Sequence, residues 1–137
     1  MSGVEIIKEN DEIFAIIIRK DFSIEGLQFF TPPNFSQQLA YMHHKKGKKI
    51  KPHSHNPVVR EIRFTQEVLI IKRGRLKVDL YRDDRAFHST HILDAGDVIL
   101  LAGGGHGFEV IEDIEMIEVK QGPYSGDLDK THFEVNR

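Results

Sequence analysis

Hydrophobic residues in this chain come in short, β-branched runs: Ile13 to Ile18, Leu39 to Met42, Val68 to Ile71, Leu76 to Tyr81, Val98 to Leu101 and Ile114 to Val119. Gly, Asp, Asn or Pro separates them. No stretch sustains the three-and-four spacing of an amphipathic helix behind a capping residue. Leu76, Val78 and Leu80 alternate with Lys77, Asp79 and Tyr81, a period of two that predicts a half-buried strand. Lys72-Arg73-Gly74-Arg75 reads as a short glycine turn between two strands, and Arg82-Asp83-Asp84-Arg85 ends the second. Asp94-Ala95-Gly96-Asp97 does the same before Val98. Short strands at this spacing predict an all-β sandwich or barrel. The run Phe14 to Ile18 is too apolar for an open sheet edge, so it is expected to be covered.

The length of 137 residues fits a single domain over 1–137, with 39% hydrophobic residues to fill one core. The first thirty residues, closed by Phe29-Phe30-Thr31-Pro32-Pro33, are expected to add edge strands rather than a second domain. The polar tail from Ser125 to Arg137 is expected to pack on the surface or fray. A formal charge of −2 argues against a dedicated nucleic-acid binder. Absence of cysteine excludes disulfides, thiolate metal sites and cysteine nucleophiles. No segment approaches the roughly 20 apolar residues of a membrane span. The polar, acidic start, MSGVEIIKENDE, has no signal-peptide core, so the expectation is a soluble cytoplasmic protein without a membrane partner.

Histidine stands out, with eight in the chain. His53-Ser54-His55 puts two imidazoles on one face if the segment is a strand, where both reach one ion. Lys51-Pro52 before and Asn56-Pro57 after favour a turn, in which the two rings are simply solvated. Five residues separate Gly47 from His53, and six separate Glu67 from Gly74. Downstream, Gly96 is followed after five residues by Ala102-Gly103-Gly104, then His106.

These spacings resemble the two motifs of the cupin superfamily, over Gly47 to about Val110. The sequence departs from the pattern in an eleven-residue spacer between His55 and Glu67, in Ala102 for proline, in a histidine one residue early, and in Val110 for a frequent asparagine. The resemblance implies a jelly-roll cupin barrel with a metal-binding core at about 39–120, and a homodimer. His53, His55, Glu67 and His106 would then be ligands of one divalent transition metal (Fe, Zn, Mn or Ni). Three imidazoles and a carboxylate suit such ions, and a metal would offset the cost of burying Glu67 ahead of Val68-Leu69-Ile70-Ile71. The competing reading has Glu67 capping a strand at the barrel rim, with solvated histidines.

Gly103-Gly104-Gly105-His106-Gly107 is no phosphate loop, because strand-like Phe108-Glu109-Val110-Ile111 follows it; it reads as a turn returning His106 to the barrel. Lys45, Lys46, Lys48, Lys49 and Lys51 read first as a solvated hairpin or edge, second as a patch for an anionic substrate. No aromatic residue is interleaved with them, against nucleic acid. Arg60 and Arg63 could clamp a substrate carboxylate or phosphate, or pair with Glu61 on an exposed loop. Tyr41 is a candidate substrate contact, and an inward Tyr41 or Tyr81 could be a general acid, although packing is the commoner role. The facing of Lys120 is open. His43, His44, His88, His91 and His132 have no spacing partner and are read as structural or solvated.

The functional expectation is a metal-binding cupin acting on a small polar molecule. From Gln37-Gln38-Leu39-Ala40-Tyr41 to Gln121-Gly122-Pro123-Tyr124 the chain is similar to uncharacterised small cupins of bacterial surface-polysaccharide pathways, which implies a sugar or nucleotide-sugar. Two reaction classes follow from the resemblance, sugar isomerisation or epimerisation and metal-dependent dioxygenation. Metal-free isomerisation with a histidine base is a further reading. The alternative is a non-catalytic sensor or binding module with a structural metal or none.

Overall fold

A computed structural model describes residues 1–135. The chain is nearly all β, with strands in 47% of it, curled into a half-barrel. Among the described residues eight strands run in order: β1 (Val4–Glu9), β2 (Glu12–Ile18), β3 (Gly26–Phe29), β4 (Ala40–His43), β5 (Glu67–Tyr81), β6 (Phe87–Asp94), β7 (Val98–Leu101) and β8 (Gly105–Lys120). The main sheet has β1, β2, β7, β5 and β6 in that order, with β8 paired to β5. β3 and β4 form a separate antiparallel ribbon.

β5 organises the whole. Its first half, Glu67 to Ile70, lies between β7 and the end of β8, and its second half, Arg75 to Tyr81, lies between β6 and the start of β8. The residues 72–75, expected as a turn between two strands, instead continue one strand. The chain does not reverse there, because β8 pairs with β5 on both sides of the segment. Three register shifts between Ile71 and Leu76 mark a sharp, bulged bend. Gly74 makes the bend feasible. Its φ is +92°, and a Cβ there would lie 2.0 Å from the carbonyl oxygen of Asp113 on β8.

The bend folds the β5–β8 ladder over a core. Leu69 and Ile71 from one half meet Leu76, Val78 and Leu80 from the other, with Phe14, Leu93 and Ile99 between. The opposite face of the first half buries Ile16, Val68 and Leu100 under Phe30, Phe35 and Leu39. β2 is thus covered on both faces and hydrogen-bonded on both edges, which explains the unbroken run Phe14 to Ile18. The expected corner at Asp94 to Asp97 is present. Buried Asp97 accepts hydrogen bonds from the amides of Asp94 (2.7 Å) and Lys20 (2.8 Å) and from Arg19 (3.3 Å), tying β2 to the β6–β7 corner.

Candidate functional site

Bending β5 has a chemical consequence. Leu80, the ladder partner of His106, lies thirteen residues beyond Glu67, about 43 Å along an unbent strand. In the folded chain the Nε2 of His106 is 2.8 Å from Oε1 of Glu67. The turn at Gly103–Gly104 starts β8 and returns His106 to this point, as its sequence suggests. Gly104 has φ +66° and passes so near Tyr81 that a Cβ would lie 2.2 Å from its carbonyl oxygen.

Glu67 is buried, its side chain 12% exposed. The hydrogen bond from His106, opposed by burial and helped by a hydrogen bond from Glu118 and by the charge of Lys120, lowers its pKa to about 2. The same contact with Glu67, followed by burial, pushes the pKa of Glu118 up. Glu67 is therefore an acceptor at neutral pH. A neutral His106 must donate from Nε2, which leaves its lone pair on Nδ1. The imidazole stacks on Phe108, with ring centroids 5.3 Å apart.

This pair forms one wall of a cavity of about 680 Å³, a size suited to a small organic ligand. Lys120 faces Glu67 directly across the ladder and also lines the cavity. Its Nζ is 3.8 Å from Oδ2 of Asp129, which in turn accepts a hydrogen bond from Thr65 at 3.0 Å. The tail, expected to pack or fray, runs past the described residues, which end at 135; within them a 3-10 turn spans Gly126–Asp129, Asp129 and Lys130 line the cavity, and Phe133 lies edge-on to Tyr81. Glu12 also lines the cavity, and burial and then a hydrogen bond with Asp83 push its pKa up. Carboxylates outnumber lysines around the cavity: Asp11, Glu12, Glu67, Asp83 and Asp129 against Lys120 and Lys130.

His53 and His55 lie elsewhere. The exposed segment that carries them belongs to no strand. Their rings meet edge-on at 5.3 Å, and Nδ1 of His53 is 3.1 Å from the Lys51 carbonyl. Of the four expected metal ligands the fold gathers Glu67 and His106 only, and no group of three His, Cys, Asp or Glu side chains able to hold a metal occurs among the described residues. A two-donor pair, already hydrogen-bonded to itself, does not fit a resident transition metal as the chain is arranged.

Arg63 pairs with Glu61 at 2.8 Å on the surface, the second of the two roles its sequence allows; Arg60 is likewise exposed. Neither lines the cavity. Tyr41 packs edge-on against Phe22 at 4.9 Å, the packing role. Sequence reasoning singled out Lys120 without its facing, and missed Glu118 and Asp129. The alternation along β8 that puts 118 and 120 on the Glu67 face was available; the fold-back of the tail that brings Asp129 had no sequence signal.

Compared with known proteins, the chain matches no family model, no curated protein and no solved structure.

Proposed function

We propose that this chain is a cupin-type barrel protein that binds a small hydroxylated molecule in the cavity and moves a proton on it through Glu67 and His106. The hydrogen bond between buried Glu67 and His106 at the cavity wall carries this reading. It follows the logic by which a carboxylate fixes the tautomer of an imidazole and stabilises the imidazolium formed when the ring takes a proton. The reaction class is isomerisation or epimerisation next to a carbonyl. His106 takes the proton from the carbon beside the carbonyl; the electron pair moves into an enediolate, close to the ammonium of Lys120. Return of the proton to the other face of the same carbon restores the carbonyl and completes epimerisation; its delivery to the former carbonyl carbon, with the adjacent hydroxyl proton passing to the former carbonyl oxygen, completes isomerisation.

The charge of the cavity narrows the substrate. A surplus of carboxylates repels phosphate and diphosphate groups and accepts hydroxyl and ammonium donors. A neutral or amine-bearing sugar is thus favoured over a nucleotide-sugar. Amide chemical shifts recorded with D-glucose, D-glucosamine and D-glucose 6-phosphate test this. The expected result is saturable shifts at Glu67, His106 and Lys120 with the first two sugars and weaker ones with the phosphate. Saturable binding led by the phosphate would refute the charge argument, and no shift with any of the three would refute the sugar reading.

A further inference from the structure

The longest strand of the fold is half-used. β8 spans 16 residues and pairs with β5 alone, so its outer edge has no partner among the described residues. Nearly the whole strand is exposed, including Phe108, Val110, Ile111, Met116, Ile117 and Val119. An edge of this length and apolarity invites another strand. Residues 44–64 have the matching character. They are exposed throughout and enter no ladder, yet carry Ile50, Val58, Val59, Ile62 and Phe64, with Val59 99% exposed.

The charges of the two segments are opposite. Residues 44–64 carry seven lysines and arginines against Glu61 alone, and β8 carries five acids against Lys120 alone. We propose that residues 44–64 are an exchanged arm, which pairs along the free β8 edge of a second copy of this chain while that copy returns its own arm. Reciprocal exchange satisfies both edges at once, closes with two-fold symmetry and is a low-cost route to a dimer. The arm and β8 together exceed the roughly 20 to 30 residues a side of a stable interface. The exchange is independent of the chemistry assigned to the cavity.

Charge reversal on one element at a time tests the exchange. One variant carries Glu109→Lys, Glu112→Lys and Glu115→Lys on β8; another carries Lys48→Glu, Lys49→Glu, Arg60→Glu and Arg63→Glu on the arm. Light scattering on the eluting protein should give twice the chain mass for the wild type and one chain mass for each variant. An equimolar mixture should recover the two-chain species, with one copy of each variant by native mass spectrometry. Closure of the arm on its own chain predicts no such rescue. A wild type that is monomeric at tens of micromolar, variants that still pair with themselves, or a mixture that stays monomeric would each overturn the exchange. Should the variants fail to fold, amide exchange of the wild type decides. Slow exchange of both 45–63 and β8, released together on dilution, is expected; an arm exchanging at the free-chain rate in a dimer overturns it.

Discussion

Replacing Gly74 with alanine puts a methyl carbon 2.0 Å from the carbonyl oxygen of Asp113 and 2.8 Å from its carbon. Both are backbone atoms of β8, so no side chain can swing aside. Two costs add. Holding an alanine at φ +92° costs about 1–2 kcal/mol, and forcing the ladder apart costs about 1–3 kcal/mol more. Gly26 separates the two, since its φ is also +92° but nothing lies within 4 Å of its would-be Cβ. Gly26→Ala should therefore lose only the first cost. Urea unfolding with a common slope should place Gly74→Ala about 1–3 kcal/mol below Gly26→Ala. The site should respond as well, because the bend at Gly74 brings Glu67 to His106. Equal stability of the two variants would refute the account of how β5 turns.

Three further outcomes follow from other contacts. Asp97→Ala removes the acceptor for the Asp94 and Lys20 amides and for Arg19; thermal unfolding should report a loss of about 3 kcal/mol, and a loss under about 0.5 would contradict the corner's role. The folded pKa of Glu67, about 2 against 4.5, means that its stabilisation is complete above pH 4.5 and disappears as pH falls towards 2. Glu118, pushed up, contributes in the opposite sense, being most favourable at low pH and losing this as pH rises. Wild type should thus lose up to about 2 kcal/mol relative to Glu67→Gln between pH 5 and 2; a pH-independent difference would contradict the buried pair. Arg63→Ala, breaking an ion pair whose partners are both 76% exposed, should stay within about 0.5 kcal/mol of wild type by urea unfolding.

The sequence was most legible where one segment decides its own structure. Period-two alternation located Leu76 to Tyr81, and the glycines before His106 marked a turn that the fold contains. Reading stopped where the decision is made by a distant strand. Gly74 has the same local signature whether the chain reverses or bends, and only the pairing of β8 along both halves of β5 selects a bend. His53-Ser54-His55 shows the limit for the site. Its spacing fixes a common face only if a strand forms, and a single copy supplies no strand partner for it. Glu67 and His106 were named from spacing, yet their contact depends on the bend.

Solvent deuterium incorporation tests the central claim most directly. The protein is incubated in D2O with D-glucose or D-glucosamine, and loss of the C2 proton signal is followed by NMR. A working Glu67–His106 pair predicts catalysed exchange at C2 by the wild type. His106→Gln should slow it by about 10²–10⁴-fold, and Glu67→Gln should slow it in the same direction. Binding of these sugars without exchange, or exchange unchanged in His106→Gln, would contradict the proton-transfer role and leave the cavity as a binding site only.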